Sequence, residues 1–501
     1  MTKRPMLLCA VISTVVLIIG LYNEYLLIAI GVILIIVLFI MAYNKVKATL
    51  IISLLFVLGV VICTCFKIGY INEIKYFSGN ECAGEYVVIE EPELVDDYYR
   101  TTVEVIKSEI LKKGDRISVT YSEGDLSFSN RFKADINIKS LEDSEYKMSN
   151  YSEDIYIRGY MKNIQNSNEN DFVLEKVGAL RKYIKLKIFE NFSFREASTI
   201  LALITGDRSY FTDDFYQNVK FAGVAHVMVV SGMHLSVIVS FLMYLTNKVF
   251  YNRYLKALMI FIAVIIVSAV CGFTMSIIRA GVTYILIALS LVLGRSNTPA
   301  NTLGAAVSLV LLNNPYAIFN VAFQLSVLST FGILVVAVPC IDFIKENEYV
   351  KNKVLFYLIS SSLISISATV MTAPIVIYYF GYISNVALIT NLLVCSASTT
   401  ALVLSVFGLI FLPFEKIFFF SSSVIIKYIN VVINYFGNLS FAITRTPEYT
   451  LYIAIGVIIV ILWSLLACKR RINMLKLKEI YDKKIKEGGR KVKWQLSMKK
   501  P

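Results

Sequence analysis

The chain has 501 residues, 57% of them hydrophobic and 17% charged, and its mean hydropathy is +0.66. This balance excludes a soluble globular protein, and apolar runs of about 18 residues or more recur, the length a helix needs to cross a bilayer. The net charge of +13 is unevenly placed: the tail after Cys468 carries most of the excess, whereas Tyr70–Gly178 holds 22 acidic against 13 basic residues.

Three spans open the chain, near Leu7–Leu21, Leu26–Tyr43 and Leu50–Cys65. The first follows Lys3 and Arg4, as a signal peptide would. A second apolar run follows at once with no small-residue cleavage site, and Cys9 lacks the small residue that precedes a lipoprotein cysteine, so the start is read as retained. The loop "NKVKA" carries Lys45 and Lys47, while the loop after the first span carries no Lys or Arg. The positive-inside rule therefore puts the N-terminus and the basic tail in the cytoplasm and Tyr70 outside.

The outer region contains the alternating segments "EYVVIE", "TTVEVIKSEI", "DRISVTY", "FKADINIKS" and "DIYIRGYM", separated by Gly, Asp and Ser clusters. Strands of this kind predict a small closed or partly closed barrel, with an OB-like fold as first choice. Its tyrosines (Tyr98, Tyr99, Tyr121, Tyr156, Tyr160) could serve as stacking platforms for bases. Its acidic balance is wrong for a surface that tracks nucleic acid, unless the patch Lys112, Lys113 and Arg116 does the binding.

Beyond it, "FREASTILALIT" is amphipathic and reads as an interfacial helix. Further spans follow near 222–246, 255–294 (two helices), 302–312 with 316–340, 354–376, 383–412, 415–437 and 449–468. No internal repeat is visible. The fold class is a polytopic α-helical membrane protein of roughly 10–12 spans with one small extracytoplasmic β domain. The expected divisions are N-terminal spans 1–68, β domain 69–180, main membrane domain 190–468 and cytoplasmic tail 469–501.

The chain has two histidines, His226 and His234, with Ser231 and Gly232 between them in one apolar run. On a continuous helix, residues eight apart sit about 80° apart, so both imidazoles could face one side. Polar groups in lipid face a bundle interior or a cavity. The pair reads either as a polar wall or helix break along a path, or as a tight packing motif in which each histidine bonds a neighbouring carbonyl. Two histidines without a nearby Cys, Asp or Glu fall short of a metal set, so no metal or other cofactor is expected. Ser231 and His234 are three apart, as an intramembrane serine hydrolase could use, but no G-x-S-x-G elbow surrounds Ser231. Arg279 could fork onto a phosphate or snorkel to the interface. Asp207 and Arg208 can pair with each other, and Gln324, Ser326 and Asn391 suit hydrogen bonds between helices. No Gly-Lys pair exists, so no P-loop is encoded.

The segment "LALITGDRSYFTDDFYQNVKFAGVAHVMVVSGMHLSVIV" resembles the signature of ComEC-type competence proteins: Gly206-Asp207-Arg208, Gly223-x-x-His226, and Ser231-Gly232-x-His234. "SIIRAGV", with Ser276 and Arg279, and "NPYAIFNVAFQLS", with Asn314, Pro315, Phe323, Gln324, Leu325 and Ser326, resemble later family segments in the right order. The resemblance covers Phe194–Leu412. It implies an inner-membrane channel component that takes single-stranded transforming DNA into a bacterial cytoplasm. The channel would be lined from the spans carrying His226, Ser231, His234, Arg279 and Gln324. The implied partners are single-stranded DNA, membrane lipid, a separate DNA receptor, a cytoplasmic helicase-like ATPase and, where the cell degrades one strand, a separate nuclease; a homo-oligomer is allowed. The family often adds a metallo-β-lactamase-like domain, which needs His and Asp ligands. No His follows His234, so that domain and its nuclease activity are expected to be absent. The family's Asn-Leu-Leu segment is often followed by proline, whereas Asn391 is followed by "LLVCSAS". No enzymatic activity is expected. The alternatives are a small-molecule transporter on the same scaffold and the hydrolase using Ser231.

Overall fold

The structure, a computed structural model, describes residues 5–22, 24–43, 48–95, 97–122, 126–141, 144, 146–228, 232–249, 252–346, 350, 352–447 and 449–461. Helices α1 (Pro5–Tyr22), α2 (Glu24–Tyr43) and α3 (Ala48–Lys75) come first. The loop bearing Lys45 and Lys47, Ser231, and the basic tail lie outside the described residues.

Helix α3 delivers the chain to a β domain made of β1 (Glu81–Val88), β2 (Glu93–Val95), β3 (Tyr98–Ser108), β4 (Arg116–Tyr121), β5 (Asn130–Ser140), the short helix α4 (Lys147–Ser152) and β6 (Ile155–Asn170). The sheet order is β1-β5-β6-β4-β3-β2, and β1 also pairs with β3. The five long strands therefore close into a barrel, with β2 appended to β3. The β4–β6 pair is parallel, and the other pairs are antiparallel. Alternation along β4 (Ile117, Val119, Tyr121) and β5 (Phe132, Ala134, Ile136, Ile138) puts the apolar side chains inside, where all of them are buried.

The helical part follows: α5 (Phe172–Asn191), α6 (Phe194–Ile204), α7 (Asp213–Phe221), α8 (Ala225–Met228), α9 (Gly232–Val249), α10 (Arg253–Val270), α11 (Met275–Leu293) and α12 (Pro299–Asn313). After a 3-10 turn at Pro315–Phe319 come α13 (Val321–Gly332), a π-helical bulge (Ile333–Ala337) and α14 (Val338–Glu346), which make one apolar rod. Helix α15 (Lys353–Phe380) runs on through Pro374. Strand β7 (Tyr382–Ser384), α16 (Ala387–Ile410), α17 (Glu415–Gly437) and β8 (Ile443–Arg445) complete the labelled elements, and β7 pairs with β8. Among the described residues, seven helices are long and apolar enough to cross a membrane, and five shorter apolar helices accompany them. The chain is a polytopic helical membrane protein.

Two expectations change here. "FREASTILALIT" is not an interfacial helix: Glu196 through Leu203 are all buried in α6, which packs between α16 and α17. The run 222–246 does not begin as a helix: residues 222–224 form a turn. Gly223 adopts φ +74°, a conformation natural to glycine, and a side chain there would meet the Ala387 Cβ at 2.6 Å. The chain turns at Gly223, between α7 and α8, and α9 is described from Gly232 onward, with 229–231 outside the described residues.

The barrel is seated on the helices through polar side chains. Asn314 Nδ2 donates to the carbonyls of Tyr151 (2.8 Å) and Ser152 (3.1 Å), and Asn320 Nδ2 donates to Ser152 Oγ (3.1 Å). The Tyr316 ring meets Tyr151 edge-on at 5.3 Å and joins the barrel core. Lys67 of α3 donates to Asp154 (2.7 Å) and to the Tyr156 hydroxyl (2.9 Å), and Tyr70 hydrogen-bonds Asp115. On the other flank, Arg181 of α5 lies over the Phe128 ring and donates to the Ala269 carbonyl at the end of α10.

Candidate functional site

The motif residues from three distant segments meet at one point near the barrel-facing ends of α9 and α11. The Gly232 N–H donates to Ser276 Oγ (3.3 Å), Ser276 Oγ donates to Ser326 Oγ (3.2 Å), and Arg279 Nε donates to Ser326 Oγ (2.9 Å). A side chain on Gly232 would sit 3.0 Å from Ala280 Cβ and 3.2 Å from Arg279 Nη2. Gly232 is thus the close-approach residue that lets α9 rest on α11, and Ser276 and Arg279, three apart, point the same way. Arg279 is buried at 7% exposure, so it does not snorkel.

The two histidines differ. His226 on α8 is exposed, while its neighbours Val227 and Met228 are fully buried. His234 is buried in the first turn of α9. The rings, one on α8 and the other in the first turn of α9, remain near enough to interact electrostatically.

The other expected site residues lie elsewhere. Asp207 and Arg208 do not pair: Asp207 Oδ1 accepts from the Ser209 backbone and hydroxyl (3.0 and 2.6 Å), and Arg208 reaches the Tyr216 hydroxyl (3.3 Å). Gln324 Nε2 donates to the Ile318 carbonyl (2.7 Å), bonding the neighbouring 3-10 turn and not another helix. Asn391 Nδ2 donates to Ser365 Oγ (3.2 Å), a link between α16 and α15. In the barrel, Tyr121 and Tyr156 are core residues, leaving Tyr98, Tyr99 and Tyr160 at the surface. Lys112 is held over the Tyr70 ring (4.1 Å) beside Glu73 (3.6 Å). At the barrel exit, Arg131 and the N–H groups that Asp171 caps at the start of α5 hold the Asp171 carboxyl below the usual carboxylate range.

A polar seam along α17 was missed in the sequence. Ser423, Lys427, Asn430, Asn434 and Asn438 recur at four- and three-residue spacing, so they share one helical face. Ser423 and Lys427 meet the buried Glu196 carboxylate (2.8 and 3.5 Å), Asn430 accepts from Thr199 (2.9 Å), and Asn434 accepts from Asn218 (3.2 Å). A stripe beside the seam exposes Phe420, Val424, Val431 and Tyr435, as a lipid-facing stripe would. Among the described residues, no group of three or more metal-ligating side chains occurs.

A family profile described as Competence protein matches residues 203–471, the stretch that contains the Gly232–Ser276–Arg279–Ser326 cluster and most of the α17 seam. ComE operon protein 3 of Bacillus subtilis (strain 168) is 26% identical over 297 residues, covering 58% of this chain and 36% of that protein. An uncharacterized protein of Mycoplasma genitalium is 27% identical over 232 residues, covering 46% of this chain and 51% of that protein. The matches thus span 36% and 51% of the lengths of these curated relatives. No solved structure gives a significant match. With the family profile spanning more than half of its length and the motif residues gathered at one node of the helical bundle, the chain belongs to the competence protein family, in its ComEC type.

Proposed function

We propose that this chain is a channel component in the bacterial inner membrane for uptake of single-stranded transforming DNA. The observation that carries the reading is the match of the competence profile to the helical bundle, at residues 203–471. The barrel stands on one side of that bundle, fixed by Asn314, Asn320 and Lys67. Its closed five-strand order with a single parallel pair supports an OB-like assignment. Lys248, Arg253 and Arg295 sit at helix ends away from the barrel, where Arg253 Nη1 approaches Gly294. Under the positive-inside rule this supports an outer barrel and cytoplasmic termini. The chain would act without catalysis of its own, alongside a DNA receptor, a cytoplasmic ATPase and a separate nuclease.

The test is transformation frequency in the host with the gene deleted and restored. Loss on deletion and recovery on restoration supports the reading. Unchanged transformation, with loss of growth on a transported nutrient instead, would favour a small-molecule transporter.

A further inference from the structure

We propose that the groove between α6, α7 and the C-terminal end of α17 is a binding site for single-stranded DNA, holding nucleotides with their bases against Phe194 and Tyr210 and a phosphate on Arg195. This rests on the DNA-uptake reading and deepens it, because it moves the nucleic-acid contact away from the motif residues and the barrel.

The cavity measures about 980 Å³, near the top of the roughly 300–1,000 Å³ range of small-ligand sites. Its wall has the two kinds of group that sequence-tolerant binding of single strands uses, aromatic faces and a cation, and adds side-chain amides. The Phe194 ring is 61% exposed, and it stands at 80° to Tyr210 with centroids 6.3 Å apart. Two rings at right angles make a corner in which a base can stack on one face and present its edge to the other. Phe189 supports both rings from behind, at 6.0 and 5.2 Å.

Cations attend these rings. Arg195 is exposed and lies 5.7 Å from the Phe215 centroid, and Lys185 lies 4.9 Å from that of Tyr210. Just beyond, Lys220 and Arg208 flank Tyr216 at 4.1 and 5.8 Å. The amides of Gln217 and Asn438, both exposed, and the Asn218–Asn434 pair supply donors and acceptors for base edges. Asp214 is the acidic group in the wall, and it sits in the first turn of α7, where the helix dipole favours a negative charge.

The competing surfaces are poorer. The Gly232–Ser276–Arg279–Ser326 cluster is closed by its own contacts. The barrel region carries an acidic excess, and two of its five candidate stacking tyrosines are buried.

The experiment uses the full chain in lipid nanodiscs and a short poly-dT oligonucleotide carrying 5-iododeoxyuridine, which cross-links to aromatic side chains under ultraviolet light. Peptide mapping should place the cross-link on Phe194 or Tyr210. Arg195→Ala and Tyr210→Ala should each weaken binding about tenfold, and Arg195→Ala should flatten the salt dependence by about 0.7 in log–log slope. Arg195→Lys and Tyr210→Phe should retain most of the affinity, which separates lost contact from lost folding. Oligonucleotide binding with cross-links elsewhere, and with affinity indifferent to both alanine variants, would overturn the groove and leave the uptake reading standing. A groove labelled by photoactivatable lipid, and not by the oligonucleotide, would overturn it likewise. No binding at all, together with normal transformation of a deletion strain, would sink both.

Discussion

Asn314, at the end of α12, reaches Tyr151, 163 residues earlier in the chain, through a buried 2.8 Å hydrogen bond from its side-chain amide to the Tyr151 carbonyl. The Asn-Pro motif therefore joins the barrel to the bundle. Its Oδ1 also accepts from the Tyr316 N–H (3.0 Å), so one side chain both shapes the turn and holds the barrel.

Asn314→Ala should loosen that seat, because the two barrel carbonyls it serves lose a buried donor. The cost is about 1–3 kcal/mol. Hydrogen exchange should accelerate across 147–156 while α12 and α13 stay protected. Unchanged exchange in that segment would show that Tyr316 and Lys67 hold the barrel alone.

The Arg279–Ser326 contact predicts non-additive losses. Ser326→Ala and Arg279→Gln each break the same 2.9 Å hydrogen bond, so the double variant should lose less thermal stability than the sum. The expected coupling is about 0.5–3 kcal/mol. Gly232→Ala should also destabilise, since its methyl group would crowd Ala280 and the Arg279 guanidinium. Additive losses would mean that the two residues act independently.

The histidines should separate by reactivity. Exposed His226 should be modified by diethylpyrocarbonate, and buried His234 should be protected. Equal modification of both, read by mass spectrometry, would contradict the burial of His234 in the first turn of α9.

Asp171 sets a pH dependence. Arg131, 2.9 Å away, lowers its carboxyl in the folded chain, so its contribution is present at neutral pH and is lost as pH falls through the folded value. Protection of the first turn of α5 should therefore fall only at a pH below the usual carboxylate range. With Asp171→Asn that acid dependence should disappear, although the amide can still cap the helix. An identical acid profile in the variant would remove Asp171 from the account.

Much of the architecture could be read from the sequence because its causes are local. A bilayer demands long apolar runs, and seven described helices are long and apolar enough to cross one. The barrel strands alternate because one face is wet. The parallel β4–β6 pair and the Asn314–Tyr151 bond leave no local pattern, since each joins segments far apart in sequence. The apolar run starting at 222 hid the turn between α7 and α8 because Gly223 departs from the helix by backbone angle, not by polarity. The α17 seam was legible in principle: Ser423, Lys427, Asn430, Asn434 and Asn438 fall on one face, but apolar residues between them kept the run reading as a plain span.

The central claim is tested most directly by following a duplex labelled on one strand into cells. With this chain present, nuclease-protected single-stranded label should accumulate inside. With the gene deleted, protected label should fall to background while surface-bound DNA is unchanged, and the restored gene should return it. Protected single-stranded label at the normal level in the deletion strain would contradict the account.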